Sequence, residues 1–241
     1  MIVTKSKNNG TLFLIPSSLD QEVVSNFLIE EQKKYLKKIF HFIVEKEKPA
    51  RKMLKKLDLA TNIQQLQLFS NTQDTDEEEI SEMLSPIFDG FNMGLLSDSG
   101  SPCIADPGNK IVSYAHKKKI SIKPLIGPSS IILSLMSSGF NGQNFRFKGY
   151  LPKEQEKRIK LIKEMELEIN RSGETQIFIE TPYRNNELFK DLVKHLGENI
   201  NLCLSIDLMT GCEEIISQPI SKWANFKTIN ISKRLCIFLL N

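Results

Sequence analysis

Leu95-Leu96-Ser97-Asp98-Ser99-Gly100-Ser101-Pro102-Cys103-Ile104-Ala105-Asp106-Pro107-Gly108 is a short apolar strand that runs into a loop of small polar residues and then into a helix opened by Asp106-Pro107. A strand ending in a Gly/Ser/Asp loop ahead of a helix brings backbone N–H and C=O groups to the carboxyl edge of a parallel sheet, where open α/β folds bind ligands. Further along, Ile126-Gly127-Pro128-Ser129-Ser130 repeats the order of strand, loop and helix.

Working outward, Thr11 to Ile15 and Ile39 to Val44 are apolar runs separated by helix-compatible polar sequence, a β-α-β pattern. Pro49 to Leu57 reads as a basic helix. Thr75 to Phe88 reads as an acidic one, with Thr75 and Glu78 at capping-box spacing. Strands at Leu66 to Phe69, Gly94 to Ser97 and Ile120 to Leu125 alternate with these helices and with one running from Pro107 to Lys118. Strict alternation predicts a mostly parallel, helix-covered sheet, because parallel strands need crossover connections. Beyond the helical Ser129 to Ser138 the character changes. Asn144 to Tyr150, Thr175 to Glu180, Leu202 to Leu208, Ile215 to Gln218 and Arg234 to Leu240 read as strands of a mixed sheet, and Lys153 to Arg171 as a charged, exposed helix. The expected division is an N-terminal α/β domain over 1–125 and a C-terminal α/β domain over 126–241. The cleft between them is the default ligand site.

At 241 residues the chain is long enough for two such domains. With 32 Lys+Arg against 29 Asp+Glu, the net charge of +3 demands no polyanionic partner, although Lys-rich stretches can still form a local basic face. Cys103, Cys203, Cys212 and Cys236 lack the close pairing of a zinc site and read as reduced thiols; no metal is expected. Met1 to Gly10 holds no signal-like apolar stretch, and no run approaches the ~18 apolar residues of a membrane span. The expectation is a soluble, cytoplasmic protein without a membrane partner. Asp74 to Glu79 and Lys117 to Lys119 read as solvated helix ends.

Taken in order, Leu96-Ser-Asp-Ser-Gly-Ser-Pro, Ala105-Asp-Pro-Gly and Pro124-Leu-Ile-Gly-Pro-Ser-Ser resemble the tetrapyrrole methylase superfamily, and within it the branch that methylates a ribose 2′-hydroxyl of small-subunit ribosomal RNA. Supporting pieces are Gly10-Thr-Leu-Phe-Leu, Arg51-Lys-Met-Leu, Phe145-Arg-Phe-Lys-Gly-Tyr-Leu-Pro152, Glu180-Thr-Pro-Tyr-Arg184 and Thr210-Gly-Cys-Glu-Glu214. The resemblance implies two α/β domains, S-adenosyl-L-methionine (SAM) in the cleft between them, and a homodimer. Carried over residue by residue, it puts cofactor contacts at Pro16, Ser99, Gly100, Ser101, Ile104, Ser129, Ser130, Glu180 or Thr181, and Met209. It implies in-line methyl transfer to ribosomal RNA or the small ribosomal subunit. Methylation of a tetrapyrrole ring carbon, or a SAM-binding protein without transfer, are the alternatives.

The chain also departs from that pattern. The branch's usual Thr-Pro-Ile/Leu-Gly-Asn loop is Ile15-Pro16-Ser17-Ser18-Leu19-Asp20 here, and a Cβ at Ser18 either narrows the approach or forces a different φ. The usual Glu-Asp-Thr-Arg is Glu45-Lys46-Glu47-Lys48, so Glu45 and Arg51 are the remaining candidates for a catalytic role. Leu68 to Asp76 lacks the histidine common in the branch, and the chain closes after Arg234 to Leu240, ahead of the helical extension of longer members. His41 reads as a structural strand residue, His116 and His195 as surface residues. For an RNA substrate the first phosphate-binding candidate is Lys46 to Lys56, with Lys33-Lys34, Lys37-Lys38 and Arg146-Phe-Lys148; a solvated Lys-rich face is the equal alternative.

Overall fold

Leu12, Phe13 and Ile15 lie in the first strand, β1 (Thr11–Ile15), whose near-continuous apolar run suits burial on both faces of a parallel sheet. Phe13 and Ile15 pack on one side, with Leu36, Phe42 and Leu54, while Leu12 packs on the other, with Ile43, Met93 and Ile111. The computed structural model describes residues 9–20, 28–56, 63–223 and 229–241. It divides into two units, Met1–Pro128 and Ser129–Asn241.

In the first unit β1 is followed by α1 (Glu30–Leu36), β2 (His41–Val44), α2 (Glu47–Lys56), β3 (Gln67–Ser70), α3 (Glu77–Met83), α4 (Ser85–Phe88), β4 (Met93–Leu96), α5 (Asn109–Lys117) and β5 (Ser121–Pro124). All five strands are parallel, in the order β3-β2-β4-β1-β5. β2 leads outward to β3 and β4 leads the other way to β5, so the sheet has its switch point at the carboxyl ends of β2 and β4. Gly94 in β4 makes that centre tight: a Cβ there would stand 2.6 Å from the side chains of Ile15 and Phe42.

Two local readings shift. The capping box at α3 is formed by Asp76 and Glu79, with reciprocal bonds of 2.9 and 3.0 Å, one residue beyond the expected Thr75. Asp76 wins because Thr75 Oγ1 is already accepting from the Thr72 N–H at 2.8 Å. The basic helix begins at Glu47, with Pro49 inside its first turn, where a missing N–H costs nothing; Leu57, its expected last residue, lies outside the described residues.

The second unit comprises α6 (Ser130–Ser138), β6 (Phe145–Tyr150), α7 (Gln155–Ser172), β7 (Thr175–Ile179), α8 (Asn185–His195), β8 (Asn201–Ile206), β9 (Glu214–Pro219), α9 (Ile220–Trp223) and β10 (Cys236–Leu240). Its sheet is mixed, as expected: the order is β6-β7-β10-β8-β9, parallel between β6 and β7 and antiparallel elsewhere. Phe178 and Phe238 stack across β7 and β10 with centroids 5.7 Å apart. The helix read as exposed, α7, instead buries Ile162, Met165 and Ile169 in the core. Its many charges masked a one-sided apolar stripe. Among the described residues no helix is long and apolar enough to cross a membrane, and no group of three or more His, Cys, Asp or Glu could hold a metal ion.

Candidate functional site

Every loop singled out in the first unit leaves the carboxyl end of a strand, which gathers them along one edge of the sheet. After β1, Pro16, Ser17 and Ser18 are buried. Ser17 exchanges backbone bonds with Gly100, its N–H donating to Gly100 O at 2.8 Å and its carbonyl oxygen accepting from the Gly100 N–H at 3.2 Å, and its hydroxyl donates to Ser97 O. The loops after β1 and β4 are thus stitched into one floor. Ser101 Oγ donates to Pro128 O at 3.0 Å, which joins the loop after β5 to the same floor.

Gly100 has φ +72°, and a Cβ added there would meet Leu19 Cδ2 at 3.3 Å. The left-handed φ favours glycine, and Leu19 would have to give by a few tenths of an ångström to admit a Cβ. Cys103 and Ala105, on either side of the exposed Ile104, also have positive φ, +67° and +60°. Such residues persist only where their surroundings over-determine them. Here Asp106 does so, its Oδ1 accepting from Cys103 N at 2.7 Å and from Gly108 N at 2.9 Å. Asp106-Pro107 therefore braces the loop more than it opens α5, whose N-cap is Gly108. Burial pushes the Cys103 thiol up to about 11, with the Asp106 charge adding to it, so it is an inert thiol at neutral pH.

Glu45 follows β2 and Asp98 follows β4, so both stand at the switch point. Glu45 Oε1 accepts from the Asp98 N–H at 2.9 Å, and Lys46 Nζ lies 3.2 Å from Asp98 Oδ2. Burial above all, then the charges of Asp98 and Asp106, raises the Glu45 carboxyl above its ordinary range, against the opposing Asp98 N–H and Lys46. Arg51, the other catalytic candidate, makes an i,i+4 pair with Glu47 at 3.2 Å on α2. His41 is at the opposite, amino end of β2, tilted against Phe91 at 5.2 Å. Burial lowers its pKa, and it fills a structural place.

A pocket opens beside this edge between α2 and the loops after β1 and β4, with about 440 Å3 of empty space that is partly open to solvent. Pro49, Ala50, Met53 and Leu96 give it apolar walls; Ser17, Ser18, Ser97 and Asp98 give it polar ones. Lys52 and Lys56 line it from one face of α2.

The second unit holds the remaining candidates. Ser129 is the N-cap of α6 in extended conformation, and its side chain makes no capping bond. Glu180 is buried, its carboxylate accepting from Thr181 N at 2.6 Å and from the Arg184 guanidinium, so it organises its own turn. Thr181 is exposed on that turn. Met209 has φ +64°, its N–H donating to Glu213 at 2.6 Å.

The ribosomal RNA small subunit methyltransferase I of Vibrio cholerae is 30% identical over 147 residues, 61% of this chain and 50% of that protein. The protein of the same name from Halalkalibacterium halodurans is 27% identical over 226 residues, 92% of this chain and 73% of the relative. The chain thus spans about half the length of the Vibrio relative. Among solved structures, cobalt precorrin-4 methyltransferase superposes with a TM-score of 0.61 at 10% identity, covering 99% of this chain and 98% of that one. The chain is similar in sequence to ribosomal RNA small subunit methyltransferases and shares the fold of a tetrapyrrole methyltransferase. Uroporphyrin-III C-methyltransferase from Thermus thermophilus, solved with S-adenosylhomocysteine, has the same fold, with a TM-score of 0.57 at 13% identity over 96% of this chain and 97% of that one. No family model matches the chain.

Two features of the site escaped sequence reasoning. Asp98 sits in the loop that decides the fold, yet only the sheet order shows that it meets Glu45-Lys46. Where the branch carries Asp, this chain carries Lys46, and Asp98 supplies a carboxylate beside it. The lysines of α2 were legible as a basic run, but helical spacing alone did not say which of them face the pocket. The local signal was the i,i+4 pair Lys52 and Lys56 flanking Met53.

Proposed function

We propose that this chain is a SAM-dependent methyltransferase that methylates a ribose 2′-hydroxyl of small-subunit ribosomal RNA. The observation that carries the reading is the floor made by Ser17, Gly100, Ser101 and Pro128 at the carboxyl edge of a parallel sheet, in a chain related in sequence to ribosomal RNA methyltransferases. The residues fit the cofactor. Gly100 leaves a cradle that a side chain would narrow, Ser99 is exposed, and Ile104 offers an apolar surface that is 51% exposed. The Ser129 hydroxyl and the first-turn amides of α6 suit a polar or negative ligand group. The same reading takes Ser130, Thr181 and Met209 as further contacts, Pro16 as the buried stop that sets the first loop, and Glu180 as the anchor of the turn carrying Thr181.

When bound, SAM supplies an already activated methyl group on a sulfonium. The chain's part is to hold the acceptor oxygen in line and to manage its proton. Glu45 and Asp98 are the carboxyl groups placed for that task at the switch point, with Lys46 Nζ 3.2 Å from Asp98. Arg51 is bound to Glu47 and serves α2. Tetrapyrrole methylation is the weaker reading, because the enzymes of that kind share 10–13% identity with this chain and so share its fold alone. The reading carries with it a homodimer acting in the cytoplasm on the small ribosomal subunit. Calorimetric titration with SAM and S-adenosylhomocysteine, followed by methylation of unmodified small subunits, tests it. Micromolar binding, worth about −8 kcal/mol, with methyl incorporation is expected. Binding without incorporation leaves a SAM-binding protein, and absence of both overturns the assignment.

A further inference from the structure

The loop from β8 to β9 holds unfavourable backbone at a residue the core does not need. Met209 stands there at φ +64° and is exposed, and Asp207, at φ +46°, begins the same loop. A glycine would take up the left-handed region without steric cost, and an exposed side chain adds no packing to the unit that carries it. Strain combined with exposure marks a side chain held out for a ligand, and the flexible, polarizable thioether of methionine suits one with apolar and aromatic parts.

The bonds that hold the loop converge on one side chain. Arg234, just ahead of β10, donates from Nε to Asp207 Oδ2 at 2.6 Å, from Nη2 to Cys212 O at 2.7 Å and from Nη1 to Glu214 Oε1 at 2.6 Å. One planar guanidinium thus grips the loop at its first residue, near its last, and at the strand that follows. These acceptors lie between 20 and 27 residues away in the chain, so the fork ties together backbone that local sequence leaves independent. Asp207 is held from a second side, its Oδ1 accepting from the Leu235 N–H at 2.9 Å while its own N–H donates to Leu235 O at 2.8 Å. Within the loop the Met209 N–H donates to Glu213 Oε2 at 2.6 Å and the Thr210 N–H to Asp207 O at 3.1 Å. The backbone from which Arg234 reaches out is itself fixed, because its carbonyl accepts from the Nδ2 of the buried Asn185 at 2.8 Å.

We propose that Arg234 is a positioning residue for the cofactor, its guanidinium presetting the loop so that Met209 meets the ligand without rearrangement. The inference rests on the SAM-dependent reading, in which Met209 is a cofactor contact. Each of the three guanidinium nitrogens already donates to the protein, so Arg234 acts through Met209. A loop held in its binding conformation has little left to order when the ligand arrives, and one that adopts it only about a tenth of the time binds about tenfold more weakly.

The test uses the full chain with isotope-labelled methionine methyl groups, SAM calorimetry and urea denaturation. Arg234→Gln is expected to bind SAM about tenfold more weakly, and its Met209 methyl resonance, assigned with Met209→Leu, to narrow and move toward that of free methionine. Arg234→Lys keeps the charge but not the fork, is expected to fall between the two, and carries the test if Arg234→Gln does not fold. A brace for stability alone would lower the urea midpoint and leave the affinity of the folded protein unchanged. In a double-mutant cycle with Met209→Ala, Arg234→Gln is expected to add less than about twofold to the loss, because the loop then has no side chain left to position. SAM affinity equal in the parent and the folded Arg234 variants, or fully additive losses in the cycle, overturns the role of Arg234 and leaves the methyltransferase reading in place. A parent that binds neither SAM nor S-adenosylhomocysteine overturns that reading, and the role of Arg234 with it.

Discussion

Gly100 and Ser18 make opposite demands on the backbone, although both lie in the floor of the site. Gly100 occupies the left-handed region at φ +72°, where a non-glycine residue costs about 1–2 kcal/mol. Gly100→Val adds a branched side chain against Leu19 and is expected to weaken SAM at least about tenfold by calorimetry while lowering the urea midpoint modestly. Unchanged affinity would remove this loop from the cofactor site. At Ser18 the sequence left open a narrowed approach or an altered φ; the residue is buried at ordinary φ, so the loop lost its glycine without strain. Glu45 gives a pH prediction. Its raised pKa means that the folded state binds the proton more tightly than the unfolded one, so stability falls as pH rises from the ordinary carboxylate range through the raised folded value. Glu45→Gln keeps an acceptor for the Asp98 N–H and does not titrate. The melting temperature of the variant relative to the parent should therefore climb as pH rises from the ordinary carboxylate range, and a flat difference would mean that burial does not perturb Glu45.

Elements were legible where one periodicity dominates. β1, β2 and β4 stand out as apolar runs because both sheet faces are covered there, and helix starts fall within a residue or two of the positions that Asp, Thr and Pro chemistry marks. α7 was misread because its core stripe sits among many charges, one of which is itself buried. Arg158 is 1% exposed, its Nε donating to Asp191 at 2.8 Å and its Nη1 to Lys153 O at 2.9 Å. Asp191 on α8 in turn accepts from Gln155 at 3.1 Å. Removing one partner of a buried ion pair leaves the other charge uncompensated. Arg158 Nη2 also pairs with the more exposed Glu187, so Asp191→Ala leaves the guanidinium one partner and is expected to destabilise the second unit by about 1–3 kcal/mol in urea denaturation. Arg158→Met with Asp191→Leu should recover much of that loss. A cost below about 1 kcal/mol for Asp191→Ala would show that water reaches the pair.

For the whole molecule, ligand binding is the strongest lever on stability. SAM at a hundredfold excess over its dissociation constant is expected to add about 2.7 kcal/mol and to raise the melting temperature by about 5–10 °C. No shift at saturating SAM would contradict the assignment of the cofactor. From the chain alone came the alternation of strand and helix, the change to a mixed second half, and the decisive Ser-Asp-Ser-Gly-Ser-Pro loop with its glycine. These follow from period, turn chemistry and residue type, which are local properties of a sequence. Tertiary structure alone decided that β4 lies between β2 and β1, and with it that Asp98 meets Glu45 and Lys46, that Ser17 pairs with Gly100, and that two of the α2 lysines line a pocket. Strand order and helix rotation depend on which apolar faces pack together, and packing between residues distant in the chain leaves no period in the sequence from which those neighbours could be read.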